Sequence, residues 1–186
     1  MERYKIVLVG DSGVGKTSLF VRYSDDKYAE NSVPTVGIDF RFKKVGKLVE
    51  LQIWDTAGNE HLRLKDGSHY RGANAIMFTY DISNKQSFDN LTTWLEEAQK
   101  YTDSSVLKIL VGTKSDRTAD RQVTPEEAAA LGGIDHRFET SALNGENVDK
   151  VFESIAHWLS LSRLPRPSVL KMDLEYAQPP TISIQS

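Results

Sequence analysis

No cysteine occurs anywhere in the 186 residues. Disulfides and thiol catalysis are excluded, and the composition is compatible with a reducing, cytoplasmic setting. No apolar stretch is long enough to span a bilayer. The opening residues, Met1-Glu2-Arg3-Tyr4-Lys5, lack the basic start and apolar core of a secretion signal, so none is expected. A strong charge of either sign is missing too. The 23 basic and 26 acidic side chains leave a net charge of -3, which offers no bulk attraction to nucleic acid or to an anionic membrane. Internal repeats and low-complexity tracts are absent as well. What remains has ordinary globular proportions, 39% hydrophobic and 26% charged. A single domain of this length buries roughly 70% of the surface its unfolded chain exposes.

Against that background one run stands out, Gly10-Asp11-Ser12-Gly13-Val14-Gly15-Lys16-Thr17. It is a complete G-x-x-x-x-G-K-[ST] phosphate loop. The apolar residues Ile6-Val7-Leu8-Val9 before it read as a buried strand. Leu19, Phe20 and Tyr23 after it recur near helical spacing. Strand, loop and helix together aim successive backbone N–H groups and the positive end of a helix dipole at one point, where a triphosphate fits. Glycines let the backbone close on phosphate oxygens where a Cβ would clash. Lys16 brings a point charge to the β- and γ-phosphates, and the Thr17 hydroxyl suits a Mg²⁺ ligand.

The rest of the chain alternates strand and helix signals. A polar loop over 25–33 leads to two alternating segments, 38–42 and 48–54, joined by Val45-Gly46-Lys47 as an antiparallel hairpin. Residues 58–72 are polar and irregular. Apolar strands are expected at 75–80 and 106–111, and a short one at 137–140. Ser83 or Asn84 caps a helix carrying Phe88, Leu91, Leu95 and Ala98 on one face. Thr124-Pro125-Glu126-Glu127 is a capping box with proline at the first helical position. Val148, Val151, Phe152, Ile155 and Leu159 mark a last, core-facing helix. Such alternation predicts an α/β fold, a mostly parallel sheet with helices on both faces. Ligands in these sheets bind beyond the carboxyl ends of the strands.

Three further motifs fall at those ends. Asp55-Thr56-Ala57-Gly58 places a carboxylate where it can hold Mg²⁺, directly or through water, and a glycine whose N–H can approach a γ-phosphate. Thr113-Lys114-Ser115-Asp116 offers a carboxylate to the two N–H donors of guanine, a pair that adenine does not present. A base that leaves such a buried carboxylate unpaired is rejected by several kcal/mol. The aliphatic stem of Lys114 can lie on the base face. Ser141-Ala142 can present backbone N–H groups to the guanine carbonyl. Thr35, in the loop before the hairpin, carries a hydroxyl that could complete a Mg²⁺ shell, although a Pro-Thr pair by itself reads as a turn.

With these residues in view the chain resembles the small GTPases of the Ras superfamily, and most of all the Rab branch, over about residues 3–161. Gly37-Ile38-Asp39-Phe40, Leu51-Gln52-Ile53-Trp54-Asp55-Thr56-Ala57-Gly58, Tyr70-Arg71-Gly72-Ala73 and Tyr80-Asp81-Ile82 carry the likeness in combination. The resemblance implies a P-loop G domain over residues 1–161, with a six-stranded sheet, one antiparallel strand and five helices. It implies a GTP/GDP cycle with Mg²⁺ held by Thr17, Thr35 and Asp55. Phosphates would lie along Ser12, Gly13, Val14, Gly15, Lys16, Thr17 and Ser18, with Gly58 at the γ-phosphate. The base would sit among Tyr28, Thr113, Lys114, Asp116, Ser141, Ala142 and Leu143. Two loops, about 28–40 and 57–73, would be ordered by the γ-phosphate and released on hydrolysis. Exchange factors, GTPase-activating proteins and effectors are the implied partners, effectors reading a surface of Phe40, Trp54 and His69.

The departures from the family pattern carry their own expectations. Where the family has the glutamine that orients the attacking water, this chain has Asn59. The amide is kept, but the side chain is shorter by one methylene, about 1.5 Å. Misplacement on the 1 Å scale costs on the order of 10²-fold, so with Lys16 and Gly58 intact the expected hydrolysis is slow rather than absent. Thr113 replaces the usual asparagine and Leu143 the usual lysine, as in the Rho branch, so base binding should survive. Threonine lacks the amide that ties this loop to the phosphate loop. His69 stands where an aromatic usually completes the effector surface.

The end of the chain, Tyr176 to Ser186, has no prenylation cysteine, so no prenyl anchor is expected in this chain. Residues 162–186 read as a flexible or docked extension. The expected setting is cytoplasmic, with endomembranes reached through partners. A competing reading is a GTPase-like scaffold that holds nucleotide with little or no hydrolysis. A P-loop ATPase or nucleotide kinase is opposed by Asp116 with Ser141-Ala142.

Overall fold

Alternation along the first strand sends Ile6 and Leu8 to one side and Val7 and Val9 to the other, and all four are fully buried. A strand buried on both faces needs a helical layer on each. The computed structural model describes residues 1–28, 35–58 and 66–163 and has that arrangement. Its strands are β1 (Glu2–Val9), β2 (Ile38–Val45), β3 (Val49–Thr56), β4 (Ala75–Asp81), β5 (Leu107–Thr113) and β6 (His136–Glu139). They form one sheet in the order β2-β3-β1-β4-β5-β6. Only β2 and β3 run antiparallel, with Val45 opposite Val49 at the hairpin end. Every other neighbouring pair is parallel.

The helices are α1 (Lys16–Asp25), α2 (Lys85–Asp89), α3 (Leu91–Tyr101), α4 (Pro125–Ala130) and α5 (Val148–Arg163). Leu19, Phe20 and Tyr23 of α1 and Val151, Phe152 and Ile155 of α5 pack on the Ile6–Leu8 side. Phe88, Leu91, Trp94 and Ala98 of α2 and α3, with Ala128 of α4, cover the Val7–Val9 side. The capping box at α4 is made as its residues imply. Glu127 N–H donates to the Thr124 hydroxyl at 3.2 Å, and Thr124 N–H to Glu127 Oε2 at 2.8 Å.

One expectation is corrected. The helix expected to run on from Ser83 or Asn84 through Ala98 is divided at Asn90, which ends α2 and precedes α3. Asn84 does cap the first piece, its side chain accepting from Ser87 N–H. The physical reason for the division lies at Asn90. Its side chain caps neither helix but reaches across to Asp11 of the phosphate loop.

The sheet places the site. The carboxyl ends of β1, β3, β4, β5 and β6 line up along one edge, and the loops that follow them carry residues 10–15, Asp55–Gly58, Asp81, Thr113–Asp116 and 140–143.

Candidate nucleotide site

The phosphate loop begins where β1 meets β4. Gly10 has φ +140, and a Cβ there would lie 2.1 Å from the Thr79 carbonyl oxygen, so only glycine fits. The loop then turns into α1. Ser12 and Gly13 are exposed, Val14 is buried and Ser18 is half-buried on the first turn of α1. Lys16 is 5% exposed and spends its ammonium on the loop, donating to the carbonyls of Gly10 and Asp11 at 2.8 Å each. Burial pushes its pKa down to about 8, against the pull of the Asp55 and Asp11 carboxylates. Without phosphate the amine therefore sits in a place that disfavours its charge.

Beside it, three oxygens converge. Thr17 Oγ1 donates to Asp55 Oδ2 at 2.6 Å and lies 2.9 Å from Thr35 Oγ1, which is 3.3 Å from the same carboxylate oxygen. Asp55 is 1% exposed, and its second oxygen, Oδ1, has no partner among the described residues. Burial raises its pKa above the usual carboxylate range, and the Thr17 hydrogen bond, the Lys16 charge and the Thr35 hydrogen bond only partly offset this. Two hydroxyls and one carboxylate with a spare buried oxygen fit Mg²⁺, a hard ion. It takes oxygen donors and completes its shell with phosphate and water rather than with a protein cage.

Gly58 closes over the loop from β3. A Cβ on it would stand 2.4 Å from Ser12 N and 2.5 to 2.6 Å from the carbonyl group of Asp11. The end of β3 is thus packed directly against the phosphate loop at Gly58. Asn59, the next residue, lies outside the described residues.

At the other end of the site Thr113 is 4% exposed, and its Oγ1 meets two carbonyls, that of Val14 and that of Tyr80 at 2.9 Å. This corrects the expectation that threonine gives up the tie to the phosphate loop. The hydroxyl makes it through Val14, and having a single proton it has none left for a base. Lys114, at φ +59, reaches back to the Gly13 carbonyl at 3.0 Å and pairs with Asp81 at 2.6 Å. Although burial pushes the Asp81 carboxyl up, Lys114 and Ser83 hold it below the usual carboxylate range. Lys114 is thus anchored at its tip, which fixes where its aliphatic stem lies.

Asp116 is exposed, because it lies on the loop beyond the end of β5 rather than in the sheet, which corrects the expectation of a buried carboxylate here. Its Oδ1 accepts from the Ser141 hydroxyl. Ser141 N–H is already engaged by the Glu146 carbonyl at 3.0 Å, so of the Ser141-Ala142 pair it is Ala142 that faces the base position without that commitment. Leu143 and Tyr28 are exposed at the rim.

The surface expected from Phe40, Trp54 and His69 is only partly assembled. Phe40 is 49% exposed and stacks on Trp54 with centroids 5.5 Å apart. Phe42 stands edge-on to Phe40 at 5.9 Å, and the Lys5 ammonium lies 3.6 Å above the Trp54 ring. His69, by contrast, is 2% exposed and rests on Tyr70 at 4.1 Å. It forms part of the wall beneath rather than a side chain offered to a partner. A polar residue in an irregular stretch gave no sign of burial, because no periodicity constrains it.

Three relationships escaped the sequence reading: the Asp11 bonds to Asn90 and Trp94, the Lys114–Asp81 pair, and the Thr113–Val14 tie. They join residues 33 to 99 positions apart in the chain, where spacing carries no signal. No helix among the described residues is long and apolar enough to cross a membrane.

Comparison with known proteins gives the family. A model of the Ras family matches residues 5–160. Ras-related protein RABD2a of Arabidopsis thaliana is 40% identical over 188 aligned positions, spanning 98% of this chain and 90% of its own. GTP-binding protein YPTM2 of Zea mays gives the same values. Ras-related protein RIC1 of Oryza sativa subsp. japonica is 44% identical over 159 positions, 82% of this chain and 78% of its own.

Proposed function

The chain belongs to the Ras family and is a Rab-like small GTPase, and on that premise we propose that it is a slow switch, holding GTP for long periods and recruiting effectors in membrane traffic. The convergence of Thr17, Thr35 and Asp55 beside Lys16 is the observation that carries this reading. These groups suit a polyphosphate with a divalent ion, which supports the reading.

In this reading the base lies between Lys114 and Tyr28, with Asp116 accepting its two N–H donors and Ala142 N–H meeting its carbonyl. Lys16 moves its ammonium from the Gly10 and Asp11 carbonyls onto the β- and γ-phosphates. Backbone N–H groups of Gly13, Val14, Gly15, Lys16, Thr17 and Ser18 surround the phosphates, and Gly58 N–H meets the γ-phosphate. Thr17, Thr35 and Asp55 would hold Mg²⁺, which would supply charge neutralisation for the phosphates when bound. Catalysis is mostly electrostatic: fixed donors and Lys16 stabilise charge that grows in the transition state. Asn59, one methylene shorter than the family's glutamine, is the residue to which slow turnover is assigned, until a partner supplies a better-placed group.

Phe40, Trp54 and Phe42 provide the exposed aromatic face that effectors read. Its cationic rim, Lys5 over Trp54 and Arg3 over Phe42, favours partners with acidic side chains near their apolar contacts. The second reading, a nucleotide-holding scaffold, is favoured by Asn59 alone. Competition against labelled GDP tests the reading directly. GTP displaces the label and ATP does not, more tightly with Mg²⁺ than without. Displacement by ATP with similar affinity would overturn it.

A further inference from the structure

Asp11 occupies the first variable position of the phosphate loop, and the role assigned to the loop so far uses only its backbone. Its side chain is nevertheless fully engaged. Oδ2 accepts from Asn90 Nδ2 at 2.6 Å and Oδ1 accepts from Trp94 Nε1 at 2.9 Å. The two donors lie four residues apart at the start of α3, on one face of the helix. Trp94 is 3% exposed, so its indole N–H donates inside the protein, where an unpaired donor would be costly. The carboxylate also sits at the positive end of α3. Two donors on two different oxygens fix both the position of the carboxylate and its rotation.

The peptide that this carboxylate holds lies between the two groups closest to the chemistry. The Asp11 carbonyl receives Lys16 Nζ at 2.8 Å on one side. On the other, the Cβ position of Gly58 lies 2.4 to 2.6 Å from that peptide, at Ser12 N and the Asp11 carbonyl group. A displacement of the 11–12 peptide therefore moves the resting place of Lys16 and the seat of Gly58 together.

We propose that Asp11 is a positioning residue, whose carboxylate, clamped by Asn90 and Trp94 of α3, sets the phosphate-loop peptide against which Lys16 and Gly58 take their catalytic places. This inference rests on the switch reading above. It makes the first turn of α3 part of the hydrolytic machinery by way of Asp11. It also explains the interruption at Asn90. A continuous helix would be regular there, but the Asn90 amide is committed to the loop instead of to a helix cap.

The test exploits the geometry of the clamp. Asp11→Asn keeps the shape but removes the charge and turns one acceptor into a donor, which the Asn90 amide meets only by turning over and giving up the bond its Oδ1 accepts from Gln86 Nε2 at 2.8 Å. The double variant Asp11→Asn with Asn90→Asp reverses the direction of one hydrogen bond and restores both. In single-turnover hydrolysis of preloaded Mg·GTP, Asp11→Asn is expected to be slower by about tenfold or more, and the double variant to return close to wild type. Trp94→Phe, which deletes one bond without changing charge, should be slowed in the same direction and serves if Asp11→Asn does not fold. The Trp94 indole N–H resonance, assigned from Trp94→Phe, should move in Asp11→Asn and return in the double variant.

An Asp11→Asn rate equal to wild type overturns the proposal. So does a double variant that remains as slow as the single one, which would mark a merely structural contact. If the wild type binds guanine nucleotide but does not hydrolyse it, the switch reading fails separately. The clamp is then read from GDP dissociation, faster in Asp11→Asn and restored in the double variant, and it is overturned if those rates match wild type.

Discussion

Thr17 donates its hydroxyl proton to Asp55 Oδ2 across 2.6 Å, while the other oxygen of that carboxylate is buried without a partner among the described residues. The arrangement is costly as it stands, since burial disfavours the charged form and raises the pKa. A group whose folded pKa is raised loses stability as pH climbs from its unfolded value through the folded one. Burial thus weighs against the charged form of Asp55, a cost that a divalent cation would relieve in the proposed switch.

Asp55→Asn follows from this with opposite effects in two states. Without nucleotide the variant should melt at or above the wild-type temperature. Loaded with GDP, it should bind Mg²⁺ about 10- to 100-fold more weakly, the usual range for losing a partner of a metal site. Titrating Mg²⁺ against the GDP dissociation rate reads the second effect. An unchanged Mg²⁺ dependence would remove Asp55 from the ion site.

Lys16 gives a pH dependence. Its amine is held at about 8 in the nucleotide-free site, below the ordinary 10.5. Between those values the unfolded chain binds more protons than the folded one, so nucleotide-free stability gains from this group as pH rises through that window. In the proposed switch phosphates would reverse the balance by keeping the ammonium charged, with the Asp55 and Asp11 carboxylates beside it pulling the same way. GDP binding should therefore take up a proton above about pH 8, and affinity should fall by at most about tenfold per pH unit. Calorimetry of GDP binding in two alkaline buffers of different ionisation enthalpy measures the uptake directly. Identical heats would contradict the charged role of Lys16.

Thr113→Val removes one hydroxyl and keeps the shape. The Val14 or the Tyr80 carbonyl then loses its donor inside the protein, a cost of about 1–3 kcal/mol. Faster GDP release and a lower denaturation midpoint are expected together, because the same bond joins the base loop to the phosphate loop. If release is unchanged while stability falls, the tie does not reach the nucleotide.

Gly58→Ala should separate the two nucleotide states. The new methyl would meet Ser12 N and Asp11 at distances no real Cβ adopts, so the β3 end must back away from the loop. GDP binding, which does not need Gly58, should change little, whereas a non-hydrolysable GTP analogue should bind more weakly. Equal losses for both would place Gly58 outside γ-phosphate sensing.

Much of this was legible because the relevant signals are local. Gly10 to Thr17 form a motif within eight residues, and Val7 with Ile6 announces a strand buried on both faces. The hairpin at Gly46 and the capping box at Thr124 are equally local, and both are made as their residues imply. What was not legible depends on side chains that meet across the fold. Asn90 reads as an ordinary residue on an amphipathic helix until Asp11, 79 positions away, draws its amide off the helix. Thr113 reads as a lost amide until its hydroxyl is found on the Val14 carbonyl. His69 reads as a surface histidine because nothing periodic surrounds it, and its burial against Tyr70 is a tertiary fact.

The most direct measurement is single-turnover GTP hydrolysis with Mg²⁺, wild type beside Asn59→Gln, after guanine nucleotide binding has been confirmed. The slow-switch account predicts measurable but slow hydrolysis in the wild type and a clear gain in Asn59→Gln, as the longer amide brings the water into line. Equal rates in the two proteins would contradict it, and absence of hydrolysis in both, with tight binding intact, would leave the scaffold reading in its place.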